Sequence, residues 1–388
     1  MLKTSYFDKF ECIGSKCSNS CCIGWTIDLD MNTFVKYLEQ KDSKITNNLL
    51  KNSNPTFDKF AKIKLDKHGR CSFLCKDNLC NIQKKYSKSL LSQTCSSFPR
   101  RKVNFGSTEI SSGMISCPEI SRLLFSDNNS LKIVNQENKI QSPQNLNIIP
   151  DEYRDDNYAI NGEKIFKLLL QTYNDKSISL EVCLSITNQI ISEVEKANVD
   201  SEKVEKIFHY IKDFFMNYNF ERIENTFFQV NFAKGFFESF LKSKMNGKLS
   251  HVIKKLYMSS FMNLSQENIV KLFSEKRDTV FKQFLYNNKN IYKKFFIHEL
   301  FGKVSLLTNS NTNSKDAFYV ILFTAIVSRI ILIFGSMFKK NLSLNDFIEV
   351  ISLVSRYFGA KEKLGKAERI LIKSNDDDDF TSLFCLLF

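Results

Sequence analysis

Nine of the eleven cysteines in this 388-residue chain fall within its first 117 residues. Cysteines used as small buried hydrophobes are scattered, so thiols gathered in this way point to disulfides or to a bound metal. Cys12, Cys17, Cys21 and Cys22 are spaced C-x4-C-x3-C-C, and Cys71, Cys75, Cys80, Cys95 and Cys117 follow as C-x3-C-x4-C-x14-C-x21-C. The opening MLKTSYFDKFECIG has no apolar h-region and no small-residue cleavage site. A reducing cytoplasmic setting is therefore expected, and metal ligation is favoured over disulfides. Thiolates take zinc or iron–sulfur clusters, with four cysteines to a closed site. The first run supplies four, and Cys71, Cys80, Cys95 and Cys117 supply four more. Side chains of adjacent residues diverge, so one of Cys21 and Cys22 is expected to pack or to serve a second site. None of the spacings is the C-x2-C knuckle of common zinc fingers or the ferredoxin run, which leaves the metal open. A metal that only staples a small domain together is the competing reading.

The elements that must position these thiols are short. Trp25, Ile27 and Leu29 alternate with Thr26, Asp28 and Asp30, the pattern of a half-buried strand. Residues 31–40 read as a helix, 61–66 as a strand leading to a turn at His68-Gly69, and 81–95 as one helix ending at Cys95. Another helix starts at Cys117, with Pro118 where a missing N–H is tolerated. Residues 126–161, rich in Asn, Gln and Ser with Pro143 and Pro150, read as a linker. All five prolines lie at or before residue 150; beyond it run long apolar patterns of period 3.6. Helix starts are marked there by Ser265 and by the Ser343-x-x-Asp346 box. The expected architecture is mainly α: a small loop-rich cysteine-bound metal domain over 1–125, the linker, and an all-helical body over 162–388.

The net charge is +13, and residues 1–150 hold 22 Lys and Arg against 13 Asp and Glu. A basic front suits an anionic partner, whether nucleic acid, acidic protein or a phosphate- or carboxylate-bearing cofactor. The same charge also suits a plain lysine-rich surface, because the basic residues are scattered. The segment AFYVILFTAIVSRIILIFGSMF is long enough to cross a membrane, but Arg329 in its middle would cost roughly 2.5–3.5 kcal/mol there. A central buried helix is expected instead, with Arg329 facing a carboxylate or a ligand anion. His68, His209, His251 and His298 are dispersed, and the acidic run at 376–380 reads as a solvated tail. No P-loop, nucleophile elbow or HExxH motif occurs, and none of the twelve glycines forms even a G-x-G. A dinucleotide-type fold is therefore not expected.

Three cysteine motifs together carry a resemblance. They are CC-x-x-W ending at Trp25, C-x-F-L-x5-C-x-I from Cys71 to Ile82, and C-x-x-F-P-R from Cys95 to Arg100. As a set they resemble the "CxxCxxCC" family of presumed zinc- or iron-chelating proteins. FECIGSKCSNSCCIGWTIDLD, the closing SCPEISRLLF and the helical remainder resemble one branch, the flagellin lysine N-methylases. The resemblance implies a cytoplasmic enzyme that methylates lysines of flagellin from S-adenosylmethionine, with no nucleic-acid or membrane partner. It also implies a four-iron four-sulfur cluster, with zinc as the alternative metal. Carried onto this chain, the ligands are Cys12, Cys17, Cys21, Cys22, Cys71, Cys80, Cys95 and Cys117, with Cys75 an extra thiol. Two features depart from the family pattern: the first run is wider, and eight thiols exceed the four that one cluster needs.

Lysine alkylation needs a neutral amine, and an ordinary lysine with a pKa near 10.4 is protonated. Trp25 offers a ring to a cationic sulfonium, and Asp28 and Asp30 could orient or deprotonate the amine, so these three are the candidate catalytic residues. Arg100 and Arg101 could grip the donor's carboxylate in the guanidinium fork, which makes them the candidate cofactor-binding pair. The rival readings are a metal-stapled binding protein without catalysis and an iron–sulfur redox or sensor protein.

Overall fold

The computed structural model describes residues 1–105, 108–127, 131–135, 156–196, 201–220, 225–243, 247–303, 314–358 and 379–388. Strands β1 (Leu2–Thr4), β2 (Asp28–Leu29), β3 (Leu49–Lys51), β4 (Ala61–Ile63), β5 (Arg100–Phe105), β6 (Thr108–Gly113) and β7 (Ile133–Asn135) form two small sheets. One has the order β5-β6-β1-β7, with β1 parallel to β6; the other, β2-β4-β3, is antiparallel. Helix α1 (Met31–Glu39) starts where the Asp30 carboxylate accepts from the Thr33 N–H at 2.8 Å. Burial of Ile27 and Leu29 with Thr26 exposed follows the expected alternation, although only Asp28 and Leu29 pair in the ladder.

The single helix expected over 81–95 does not form. A short α2 (Ser43–Thr46) precedes α3 (Asn81–Lys85), a 3-10 turn at Lys88–Leu90 and α4 (Gln93–Ser97). Serine hydroxyls interrupt the run. Ser87, at φ 150°, accepts from the Ser89 N–H at 3.2 Å, and Ser92 caps α4 through the Cys95 N–H at 3.2 Å. Such side chains compete with the helix for its own donors. Cys95 consequently sits on a separate, newly capped helix. Of the stretch expected as a linker, residues 133–135 supply β7 beside β1 and 156–161 open the first long helix, while most of the rest lies outside the described residues.

Helix α5 (Pro118–Phe125) leads to the long helices α6 (Asp156–Asn174), α7 (Leu180–Lys196), α8 (Ser201–Met216), α9 (Thr226–Lys242) and α10 (Lys248–Ser259). Helix α11 (Gln266–Lys276) passes through a π turn at Arg277–Phe281 into α12 (Lys282–Asn287). They are followed by α13 (Ile291–Gly302), α14 (Ser314–Ser336), α15 (Leu344–Phe358) and α16 (Asp379–Leu387). Helix α14 contains the apolar segment singled out above and is long and apolar enough to cross a membrane, yet it lies almost wholly buried in the protein. All twelve residues of α13 are buried as well. Two apolar cores result. The small one holds Ile27, Leu29, Tyr37, Ile45, Ile63, Phe73 and Ile82. The large one begins at Tyr6 and Phe10, takes in Ile110, Ile120 and Leu124, and continues through the helices to Leu387. The four-stranded sheet thus shares its core with the helical body, and only the segment around residues 27–95 has a core of its own.

Candidate functional site

The adjacent pair Cys21-Cys22 lies between two sets of thiols. Cys22, Cys80 and Cys95 pack beside buried Cys71 at the edge of the small core, and the Cys71 N–H donates to the Cys22 carbonyl at 2.8 Å. Cys17, with Cys12 as an electrostatic neighbour, and Cys117 at the start of α5 form the other set. Cys21 interacts with both: it acts on Cys71, Cys80 and Cys95 on one side and on Cys17 and Cys117 on the other. The Cys21 and Cys22 side chains touch rather than diverge as expected, and Cys21 by itself acts on both sets. All eleven cysteines are free thiols.

Arg356, near the end of α15, reaches from the helical body into this centre. Its Nη1 donates to Asn19 Oδ1 at 2.8 Å and to the Ser20 carbonyl at 2.6 Å. Its Nη2 donates to the carbonyls of Asn19 and Ser116, at 2.8 and 2.9 Å. One guanidinium therefore ties the Cys17–Cys21 loop to the residue before Cys117, and its charge acts on Cys21, Cys17 and Cys117. Burial pushes the Cys71 and Cys117 thiols up to about 12 and Cys95 to about 11. Cys21 is raised further, first by its contact with Cys22 and then by burial. Without a cation these groups stay protonated; a soft metal would stabilise them as thiolates. Donor type and number fit a thiolate-bound metal ion or cluster. Among the described residues, no three Cys, His, Asp or Glu side chains close into a metal-sized shell.

The remaining candidates divide. Trp25 is half-buried; its indole N–H donates to the Cys21 carbonyl and its ring lies 5.5 Å from that of Phe98. It therefore braces the Cys21-Cys22 turn against the segment after Cys95. Asp28 stands opposite Lys62 in the ladder, and its carbonyl accepts from Thr94 at 3.3 Å. Asp30 is occupied by capping α1, its second oxygen taking the Thr33 hydroxyl at 2.6 Å. Arg100 lies over the Phe10 ring at 4.9 Å. Arg101 points elsewhere, towards the C-terminal end of α13, where its Nη1 is so close that a Cβ on Gly302 would stand 2.1 Å from it.

That end of α13 carries groups which the sequence reading passed over. His298 shares a hydrogen bond with the Tyr6 hydroxyl, which also accepts from the Gly113 N–H at 3.2 Å. Glu299 stands 3.4 Å from His298 Nδ1, out of line for a hydrogen bond, and 3.3 Å from Lys303 Nζ. Burial raises Tyr6 to about 12 and lowers His298. Burial alone would raise Glu299, but Lys303, His298 and Arg101 hold it well below the carboxylate range. Thr4 Oγ1, Arg101 Nη1 and Ser112 Oγ are buried here without a hydrogen bond, while His298 Nδ1 and Glu299 Oε1 face each other without making one. Buried polar atoms are nearly always paired, so such a concentration marks a place built to receive polar groups or water. Three cysteine-bearing segments run straight into it, from Cys12 back to Tyr6, from Cys95 on to Arg101 and from Cys117 back to Ser112. The available signal was local: His298-Glu299 interrupts an otherwise apolar FFIHELF.

Comparison with known proteins places this arrangement. Residues 166–386 match the family model described as "FliB lysine N-methylase C-terminal domain". Over 136 residues, 33% of this chain, it is 36% identical to "Flagellar biosynthetic protein FliU" of Salmonella muenchen, covering 79% of that protein. Over 136 residues it is also 35% identical to a "Lysine-N-methylase" of Salmonella typhimurium, but there the match spans only 33% of the relative's length. No solved structure matches the chain. With more than half of its length matching that family's domain, the chain belongs to the FliB lysine N-methylase family.

Proposed function

We propose that this protein transfers methyl groups from S-adenosylmethionine to lysine side chains of flagellin in the cytoplasm. The observation that carries the reading is the family match over residues 166–386, on a body whose Arg356 holds the cysteine centre. Cys12, Cys17, Cys21, Cys22, Cys71, Cys80, Cys95 and Cys117 would hold the four-iron four-sulfur cluster, or zinc in its place. Bound there, a cluster supplies an iron with affinity for amino and carboxylate groups, whereas zinc supplies a closed structural staple. Of the two arginines, Arg101 is assigned to the donor's carboxylate, because its Nη1 lacks a partner while Arg100 is held on Phe10. Glu299, held between His298 and Lys303, is given no direct contact with the donor. Trp25 offers its ring to a cation, and Asp28 offers a carboxylate to the incoming amine. Asp30 is given no chemical role, since capping occupies it.

The test is to incubate anaerobically purified protein with S-adenosylmethionine and purified flagellin of the same organism, and to map methyl-lysine by mass spectrometry. The reading requires methyl-lysine that depends on both protein and donor. Unmodified flagellin, with a folded and metal-loaded protein in the tube, would overturn it.

A further inference from the structure

Away from the cysteines, the helical body has an open pocket of about 450 Å³, a volume typical of small-molecule sites. Its walls are the starts of α7 and α13, the π turn, the middle of α14 and the end of α16. Five basic side chains line it, Lys176, Arg277, Lys282, Lys293 and Arg329, against the acidic Glu181 and Asp278. Arg277 is matched by Asp278 through Nε to Oδ1 at 2.8 Å and Nη2 to Oδ2 at 3.0 Å. Lys293 is 6% exposed, and its ammonium rests on the carbonyls of Asp175 and Ile178 without an ion-pair partner among the described residues. Arg329 donates to the Leu386 carbonyl and to the main-chain oxygen of Phe388, the last residue, and lies over the Phe281 ring at 5.5 Å. Tyr292, on the same wall and 6% exposed, has a buried hydroxyl with no hydrogen-bond partner.

We infer that this pocket binds a small organic anion: a carboxylate or phosphate carried on a body with a planar ring. Each part of the description has its own origin. Lys293 in the wall and Lys176 and Lys282 at the rim leave positive charge for an anion to meet. The N-terminal ends of two helices, each longer than eight residues, add their dipoles to the same wall. Tyr292 and Phe388 provide flat apolar surface for a ring. The π turn supplies Arg277, Asp278 and Phe281 together; such turns recur at functional sites because they redirect side chains that a regular helix would aim elsewhere. Lys176 and Lys282 are exposed at the mouth, where they would draw an anion in. This site is separate from the cysteine centre and does not rest on the methylation reading.

Isothermal titration calorimetry on the full chain tests it, with adenosine monophosphate, S-adenosylhomocysteine and inorganic phosphate as probes. Saturable binding of at least one of the two ring-bearing anions is expected, at least tenfold tighter than that of phosphate. Tyr292→Phe should keep the fold, since it deletes only an unpaired hydroxyl, and weaken that binding about tenfold. Lys282→Glu, an exposed change, should weaken it by a similar factor. Absence of binding by both ring-bearing probes would overturn the proposal. Binding unchanged in both folded variants, or phosphate bound as tightly as the nucleotide, would also overturn it. Binding of adenosine monophosphate supports the site, and so does binding of S-adenosylhomocysteine that either variant weakens; S-adenosylhomocysteine binding untouched by both variants belongs to the donor site at Arg101 and, without adenosine monophosphate binding, overturns the proposal.

Discussion

Arg356 ties the loop before Cys21 and the residue before Cys117 to the helical body. Its four hydrogen bonds fix the two residues before Cys21 and the one before Cys117, and its charge favours thiolates there. Arg356→Met should therefore destabilise the protein by roughly 3 kcal/mol and lower its metal content. Chemical denaturation and metal analysis check both effects; an Arg356→Met protein with full stability and full metal would show that the clamp is incidental. Asp30→Ala makes the contrast: losing a cap should cost about 1 kcal/mol and leave both metal content and methyl transfer intact. A loss of methyl transfer in folded Asp30→Ala would return Asp30 to the site. The thiols themselves were legible because their clustering and spacing are local facts. Arg356 was not, because three of its four partners are main-chain carbonyls, up to 337 residues away, and leave no mark on the pattern around it.

At the scale of elements, the apolar periodicity of the body was readable because each helix buries one face, and the expected caps at Ser265 and Ser343 are present. The central helix α14 was recognised as core from its length and the arginine within it. Phe323 lies there, 1% exposed, packed 5.9 Å from the Phe236 ring and 5.2 Å from that of Phe358. Phe323→Ala should cost about 3–5 kcal/mol through the lost burial and the hole it leaves. A denaturant midpoint close to wild type would mean that α14 is not the keystone of the packing. The broken helix between residues 81 and 97 went unread for a physical reason. Serine's preference for caps is weak in any one window and is decided by where neighbouring segments, here Cys71 and Tyr37, need the chain to turn.

At the scale of the whole molecule, the sheet that carries Arg101 and Tyr6 meets the body through the buried His298–Glu299 group, which governs how the fold responds to acid. The folded-state pKa of His298 is lowered from 6.5 by burial, so below that pH the unfolded chain binds a proton that the folded one refuses. Stability is therefore complete above about pH 6.5 and declines as the pH falls, by up to about 1.4 kcal/mol per unit. Glu299, whose folded pKa is depressed, adds a further loss as the pH drops below its unfolded value of 4.5. Thermal melts from pH 7.5 to 5 should show this slope in the wild type and a flatter one in His298→Gln. Equal slopes would remove His298 from the account. This joint could not be seen from sequence, because it is assembled from residues at positions 4–6, 101–113 and 298–303, none of which forms a motif alone.

The most direct measurement is the iron, sulfide and zinc content of anaerobically purified protein, with its absorption spectrum recorded before and after S-adenosylmethionine is added. The account predicts near-stoichiometric iron and sulfide, a spectrum that responds to the donor, and loss of both in Cys21→Ser, because Cys21 faces both sets of thiols. Zinc alone, with a spectrum indifferent to the donor, would contradict it and leave the cysteines as a staple for the fold.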